Sequence, residues 1–149
     1  MGVDWGLKDI SEKETIRREA EAEGKIILKT ETLRAIEEKN IEKGNPLEVA
    51  RVAGVMAAKG TSVLIPYCHQ INITHVEVQF SPEEDGVLCR SRVVAYSRTG
   101  VEMEALSCVS ASLLTIWDMV KYLEKDEDGQ YPATAIREIR VLKKIKLPR

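Results

Sequence analysis

Acidic residues stand inside two otherwise apolar runs of the sequence. The run 100–106, GVEMEAL, carries Glu102 and Glu104, and the later run TIWDMVK carries Asp118 and Lys121. A carboxylate held near a lysine in partly dry surroundings is a common arrangement for proton transfer. A structural interpretation is equally open, because acids stabilise the first turn of a helix and i, i+3 ion pairs form on helix surfaces.

The spacing of these acids limits what they can do together. On a helix, residues i and i+2 diverge by about 200°, so Glu102 and Glu104 share a face only if the segment is extended. Glu104 and Asp118 lie about 21 Å apart along an unbroken helix. If both are functional, they belong to separate sites or to one site assembled from two chains.

Two histidines and several lysines are further candidates for a site. His69 follows Cys68 in the loop IPYCHQ and is expected to contact substrate or donate a proton, whereas His75 lies within a predicted hairpin and is expected to be structural. The adjacent Cys68 and His69 have no C-x-x-C or H-x-x-x-H companion, which disfavours zinc. Lys43 and Lys59, each beside a glycine, are candidate anion binders or simply solvated lysines.

Length and composition indicate one soluble domain, 1–149, in which residues 1–23 form a charged N-terminal arm. The chain has 149 residues, 31% charged residues and a net charge of −2. No global positive charge therefore favours nucleic acid or an anionic membrane. Three cysteines at uneven spacings suit a reducing compartment. The absence of a signal-like segment or a long apolar run leads us to expect a cytoplasmic protein.

The order of predicted elements is β-α-β-β-α-β, which is the ferredoxin-like α+β arrangement. An additional short helix begins at Thr30, and one slip in the hairpin is expected near Thr74 and His75. The predicted major elements are a strand at 25–29, a helix at 47–59, the hairpin INITHVEVQF–GVLCRSRVVAY, a helix at 100–123 and a strand beginning at Ala135. The helices would pack on one face of an antiparallel sheet. Both are too apolar for that single layer, so we expect their outer faces to contact other subunits.

The motifs AAK, LIPYCH, TGVEMEAL and LLTIWDMVK occur in this order between residues 57 and 121, within a region of similarity to one family that covers residues 10–142. Their combination resembles the molybdenum cofactor biosynthesis protein C family, the cyclic pyranopterin monophosphate synthases. The resemblance implies a ferredoxin-like homohexamer, a trimer of dimers, with active sites at the dimer interface. It implies a lyase that converts 3′,8-cyclo-7,8-dihydro-GTP to cyclic pyranopterin monophosphate and pyrophosphate, with no metal or organic cofactor and no nucleic acid or membrane partner.

Site residues follow from the same resemblance. Asp118 matches the active-site acid/base, and Lys121 and Lys43 match two catalytic lysines. The substrate-contacting residues implied are Tyr67, Cys68, His69, Glu102, Met103 and Glu104, with Lys59 and Arg18 placed near the phosphates. Such a set suits the chemistry, because cations hold a triphosphate while carboxylates move protons during ring rearrangement.

The chain departs from the family pattern at three places. Gln70 replaces the proline of the usual CHP, WDMVK replaces the common YDMCK, and the tail KKIKLPR replaces a glycine-rich one. None of these changes removes a proposed catalytic group, although Gln70 bears on substrate fit.

Two other functions fit a chain of this topology. One is a non-catalytic interaction or regulatory module. The other is an RNA-binding module, which is disfavoured because the chain has a single Phe and a negative net charge.

Overall fold

A computed structural model describes residues 5–147 of the chain. Its elements in chain order are β1 (Ile16–Ile27), α1 (Thr30–Glu37), α2 (Pro46–Lys59), α3 (Thr61–Leu64), β2 (Ile73–Glu83), β3 (Gly86–Ser97), α4 (Glu102–Glu124) and β4 (Ala135–Leu147). The strands form one antiparallel sheet in the order β2-β3-β1-β4. This is the ferredoxin-like α+β fold that the sequence predicts.

The first strand is longer than predicted. It begins at Ile16 and not at Lys25, so residues 16–23, predicted to belong to an N-terminal arm, lie in the centre of the sheet, and residues 5–15 lie outside it. The prediction was wrong because the inward-facing residues of this strand include the small Ala20, Ala22 and Gly24 among charged neighbours. These residues carry little hydrophobic signal, yet they let α4 approach closely: a Cβ on Gly24 would lie 2.9 Å from a Val109 methyl group.

The hairpin has the predicted slip, since the β2–β3 register shifts between Ile73 and His75. Its strands run further into the predicted turn SPEEDG, which leaves Glu84 and Asp85 as the turn. The segment predicted as a loop after Gly60 begins with the one-turn helix α3. One turn is too short to produce a recognisable hydrophobic period.

Helices α2 and α4 pack against each other in antiparallel directions. The Ser112 hydroxyl donates to the carbonyl of Ala50, and a Cβ on Gly54 would lie 2.3 Å from the Ser112 Oγ. Only glycine allows this approach. Helix α4 is long and apolar enough to cross a membrane by length and composition alone, but Leu113 and Ile116 on its inner face are fully buried in the core.

A buried carboxylate joins three distant elements. Glu124, at the end of α4, accepts the backbone N–H of Lys29 at 3.1 Å and the hydroxyl of Thr134 at 2.6 Å. The Thr32 hydroxyl also donates to it. The start of α1 is therefore capped by Glu124, whereas the sequence predicted that Thr30 would provide the cap; no side chain at the N-cap position makes that bond.

The sheet face opposite the helices carries alternating charges. Glu19 is paired with Arg17 and Arg92 at 3.1 and 2.8 Å, and Glu23 is paired with Arg90 and Arg140 at 3.0 Å. The bond from Arg92 contributes most to holding the pKa of Glu19 below its usual range.

The outer helix faces are apolar but uncovered within one chain. On α2, Val49, Val52 and Met56 are 45%, 58% and 67% exposed, and Leu114 of α4 is also exposed. The sequence predicted that α2 would be buried on most sides, which is not so in the isolated chain. A contiguous exposed apolar face of this kind is typical of a surface that binds another protein.

Candidate active site

Two lysines from different parts of the chain converge on Asp118. The Nζ of Lys121 lies 3.0 Å from Oδ1, one helical turn away, and the Nζ of Lys43 lies 3.2 Å from Oδ2. The Lys43 ammonium also donates to the Asp118 backbone carbonyl at 3.4 Å. The structure therefore brings together the three residues that the sequence proposed as catalytic.

The electrostatics of Asp118 differ from the sequence-based expectation. Its side chain is 59% exposed, so the partly dry surroundings predicted from its apolar neighbours are absent in the single chain. The hydrogen bonds from Lys121 and then Lys43 hold the pKa of Asp118 below its usual value, and the same contact raises the pKa of Lys121. The prediction was wrong because the face of α4 that carries Asp118 points away from the sheet.

The loop that carries Lys43 is held at three points. Ile41 is buried in the core, and the Asn45 side chain caps α2 by accepting the backbone N–H groups of Leu47 and Glu48. Between these anchors, the backbone N–H of Glu42 donates to the hydroxyl of Tyr122 at 3.0 Å. Since Tyr122 follows Lys121 in α4, this bond ties the Lys43 loop to the helix that presents Asp118.

A separate cleft of about 310 Å³ lies beside the start of α4. It is lined by five of the predicted substrate-contacting residues and three others: Tyr67, Cys68, His69, Glu102, Met103, Ile65, Thr99 and Gly100. A larger groove of about 450 Å³ lies between α1, α2 and the hairpin, and it contains none of the predicted site residues.

Glu104 lies behind this cleft and is almost completely buried, with only 2% exposure. Burial raises its pKa. The Cys68 thiol lies 3.7 Å from its Oε2, while its Oε1 accepts no hydrogen bond from the described part of the chain. A buried carboxylate oxygen without a partner is costly, so this atom is suited to a donor from a bound molecule or a neighbouring chain.

Glu102 points elsewhere, as i and i+2 positions on a helix require. Its Oε1 lies 3.4 Å from the Nζ of Lys144 in β4, and its Oε2 packs 2.3 Å from where a Cβ of Gly100 would lie. A side chain at position 100 would thus displace Glu102. The two glutamates are not a paired acid and base, although both lie at the same end of α4.

His69 is in contact with the N-terminal segment. Its Nε2 lies 2.7 Å from the backbone carbonyl oxygen of Lys8. The residues after Lys8 form turns, in which the backbone N–H and hydroxyl of Ser11 donate to the Asp9 carboxylate and Lys13 donates to the carbonyl of Ile10.

Arg18 and Lys59 lie at the same end of the molecule as the cleft. The guanidinium of Arg18 donates to the carbonyls of Ser97 and Arg98, both at 3.3 Å, in the turn that leads into α4. Lys59 is exposed at the end of α2, which runs antiparallel to α4. The phosphate contacts that the resemblance implies for these two residues remain a prediction.

The two groups of residues lie at opposite ends of α4. This helix is continuous from Glu102 to Glu124, so Glu104 and Asp118 are separated by about 21 Å along it. One small molecule does not reach both groups in a single chain. Within residues 5–147, no three His, Cys, Asp or Glu side chains are close enough to hold a metal ion.

Three groups near the site were not identified from the sequence. These are the Tyr122 hydroxyl, the Lys144 ammonium and the Lys8 carbonyl. The position of Tyr122 directly after the WDMVK motif was the one available signal. The contacts of Lys144 and Lys8 join segments that are far apart in the chain, so no local sequence pattern predicts them.

Comparison with known proteins identifies relatives over nearly the whole chain. Residues 7–146 match the MoaC family. A protein of Saccharolobus solfataricus named probable cyclic pyranopterin monophosphate synthase is 57% identical, with 98% of each chain covered. One of Sulfurisphaera tokodaii with the same name is 54% identical, covering 94% of this chain and 93% of the relative. One of Methanothermobacter thermautotrophicus, 52% identical with 95% and 89% covered, is named a probable synthase accessory protein.

Proposed function

Because the chain belongs to the MoaC family, we propose that it is a cyclic pyranopterin monophosphate synthase of molybdenum cofactor biosynthesis. In this proposal it is a cytoplasmic phosphorus–oxygen lyase that converts 3′,8-cyclo-7,8-dihydro-GTP to cyclic pyranopterin monophosphate and pyrophosphate. It uses its own side chains and no metal or organic cofactor.

The observation that carries this proposal is the convergence of Lys43 and Lys121 on Asp118. Two ammonium groups within 3.2 Å of one carboxylate form a site that a phosphate group can enter by taking over the lysines' hydrogen bonds. When the lysines turn to the phosphate, Asp118 loses the contacts that lower its pKa. The arriving substrate itself therefore makes Asp118 a better proton acceptor.

The cleft at the other end of α4 supplies complementary groups. Its open walls are formed by Tyr67, Cys68, His69 and Met103, and Glu104 lies behind them with an unpartnered oxygen. These groups suit the N–H-rich edge of a purine-derived ring, for which carboxylates are good acceptors. Arg18 and Lys59 add positive charge at that end for the phosphates.

A complete site requires two chains in this proposal. The separation of about 21 Å along α4 keeps the two groups apart in one chain. The exposed apolar residues Val52, Met56 and Leu114 give helix faces that another subunit can cover. We propose a homohexamer, a trimer of dimers, in which Asp118 and its lysines from one chain face the His69 cleft of its neighbour.

The first test is turnover of purified protein. With 3′,8-cyclo-7,8-dihydro-GTP as substrate, mass spectrometry follows the cyclic phosphate product while a coupled assay follows pyrophosphate. Asp118→Ala and Lys43→Ala are expected to lower kcat by at least about 100-fold, the scale of an acid/base group. Lys125→Ala is the matched control, since it removes an exposed lysine just beyond α4 and is expected to leave turnover unchanged.

The second test addresses the two-chain site. Asp118→Ala and His69→Ala chains are each expected to be inactive, but refolding them together at equal ratio produces some sites with both intact residues. Random mixing is expected to restore about a quarter of the parent activity if the residues come from different chains. No recovery from correctly mixed hexamers would contradict the shared site.

One relative's name supports a second function to be tested. The Methanothermobacter relative is named an accessory protein, which fits a protein that supports a synthase without catalysing the step itself. A folded, assembled parent that gives no product alone but stimulates a separate synthase would favour that function over the one proposed.

A further inference from the structure

The contact between His69 and Lys8 determines which ring nitrogen carries a proton. A backbone carbonyl oxygen only accepts hydrogen bonds, so the Nε2 of His69, 2.7 Å away, must donate. In the neutral ring the proton is therefore on Nε2, and Nδ1 carries the lone pair. Because Nε2 is occupied, Nδ1 is the ring nitrogen left for a ligand.

The Lys8 carbonyl is held in place by local structure. Directly after it, the Asp9 carboxylate accepts both the backbone N–H of Ser11 at 2.9 Å and its hydroxyl at 2.7 Å. The N–H of Lys13 donates to the carbonyl of Ile10 at 3.0 Å. Asp9 and Ser11 thus form an Asx turn, which restricts the backbone that presents the carbonyl to His69.

Other groups near His69 are hydrogen-bond acceptors, so the position of its ring proton affects which ligands the cleft can bind. His69 lines the 310 Å³ cleft with Glu102, and the adjacent Cys68 contacts the buried Glu104. In the ionised form both carboxylates accept hydrogen bonds and donate none, and each has an oxygen without a partner among the described residues. A neutral His69 with its lone pair on Nδ1 adds a third acceptor, so the cleft matches a ligand edge rich in N–H or O–H donors.

We propose that the N-terminal segment, residues 5–11, is part of the site: through the Lys8 carbonyl it fixes His69 as the Nε2–H tautomer, and Nδ1 is the atom that meets the substrate. His69 then accepts a proton or hydrogen bond at Nδ1. Lys8 is a positioning residue that acts only through its backbone. The assignment of a substrate contact rests on the proposed function, whereas the tautomer does not.

The tautomer is measured directly by nuclear magnetic resonance. The chain has only two histidines, so long-range proton–nitrogen correlation spectra of ¹⁵N-labelled protein contain two ring systems, and His69→Gln identifies them. At a pH where the ring is neutral, His69 is expected to show a protonated Nε2 and an unprotonated Nδ1. A protonated Nδ1 would overturn the proposal.

Deletion of residues 1–8 tests the role of the segment, with circular dichroism to verify folding. The His69 ring signals are expected to move toward the average of two exchanging tautomers, while those of His75, in the exposed start of β2, stay unchanged. Since one hydrogen bond is lost, kcat/KM is expected to fall about fivefold. His69 signals that are the same with and without the segment would overturn the proposal.

Two substitutions distinguish the ring nitrogens by activity. The amide of Asn reaches about as far as Nδ1, and the amide of Gln reaches about as far as Nε2. His69→Asn is therefore expected to retain more turnover than His69→Gln, and equal or greater turnover by His69→Gln would contradict the assignment. The spectra need no substrate, so an inactive parent would refute the proposed function and leave the tautomer measurement to be judged separately.

Discussion

At the scale of single residues, Asp118 and Glu104 are carboxylates with opposite environments. Asp118 is exposed and paired with two lysines, which lower its pKa, whereas Glu104 is buried and its pKa is raised. The ionised form is therefore favoured at Asp118, whereas burial disfavours the ionised form of Glu104. Environments that push two pKa values apart are how one site obtains both a base and an acid.

The first prediction concerns the pKa of Asp118. Lys43→Met is expected to raise it, because the mutation removes one of the two hydrogen bonds that favour the ionised form, while the larger contribution from Lys121 remains. Carbon nuclear magnetic resonance of labelled aspartate measures the titration. Lys125→Met is the control, and a pKa of Asp118 that is the same in both variants would show that Lys43 does not reach the carboxylate in solution.

The second prediction concerns Glu104 and the pH dependence of stability. Because its pKa is raised in the folded state, the folded protein binds this proton more tightly, and stability falls as pH rises through that pKa. Glu104→Gln removes the ionisation, so we expect it to stabilise the protein by about 1 kcal/mol at pH 8 and by less at pH 5. Turnover is expected to fall at both values.

Thermal unfolding at the two pH values measures this effect. Glu102→Gln is the matched control, since its side chain is partly exposed and paired with Lys144, and a change within about 0.5 kcal/mol is expected. If Glu104→Gln destabilised the protein equally at both pH values, the cost of burying an ionised carboxylate at position 104 would not explain the pH dependence of stability.

At the scale of elements, the loop between α1 and α2 presents Lys43, and Tyr122 connects that loop to α4. Tyr122→Phe removes the acceptor for the Glu42 N–H and leaves the ring in place. We expect about a fivefold loss in kcat/KM, the scale of one hydrogen bond, with little change in unfolding temperature. Steady-state kinetics measures the loss.

A double-mutant cycle identifies the route of this effect. In the Lys43→Ala background, Tyr122→Phe is expected to cost nothing further, because the residue acts only by positioning Lys43. Glu42→Gln keeps the backbone N–H and is the control for the loop itself. If the losses in kcat/KM were additive in the double mutant, Tyr122 would act on the reaction independently of Lys43.

The element order and the hairpin slip were predicted from the sequence and are confirmed. The residues named from motifs lie together in two groups, and their roles stay a prediction. These predictions depend on periodicity and on motifs, which are local. The central strand β1 was predicted too short. Its buried residues Ala20, Ala22 and Gly24 are small because α4 packs closely against them, so they do not give the strong hydrophobic pattern by which a strand is recognised.

The environment of Asp118 could not be predicted in the same way. Its apolar neighbours Trp117 and Met119 indicated a dry site, yet adjacent helical residues point in different directions, and the face that carries Asp118 is outward. The contact between Lys8 and His69 could not be predicted either, because every residue has a backbone carbonyl and none is marked by the sequence as a partner of His69.

At the scale of the whole molecule, the apolar outer face of α2 is the surface on which assembly is expected to depend. Met56→Lys places a charge on the most exposed apolar residue of this face and is expected to dissociate the oligomer and reduce turnover by at least tenfold. Light scattering after size-exclusion chromatography measures the mass. Gln79→Lys, on the charged sheet face, adds the same charge and is expected to keep the assembly intact.

The position of β1 between β3 and β4 has a consequence for how the chain is made. Among the described strands, β1 is synthesised first, and it acquires its second neighbour only when β4, the last of them, has emerged. The cap on α1 likewise forms only after Glu124 has been synthesised, 95 residues after Lys29. One edge of β1 in a nascent chain therefore stays unpaired until β4 has emerged, and slow or interrupted synthesis before that point exposes this edge to aggregation.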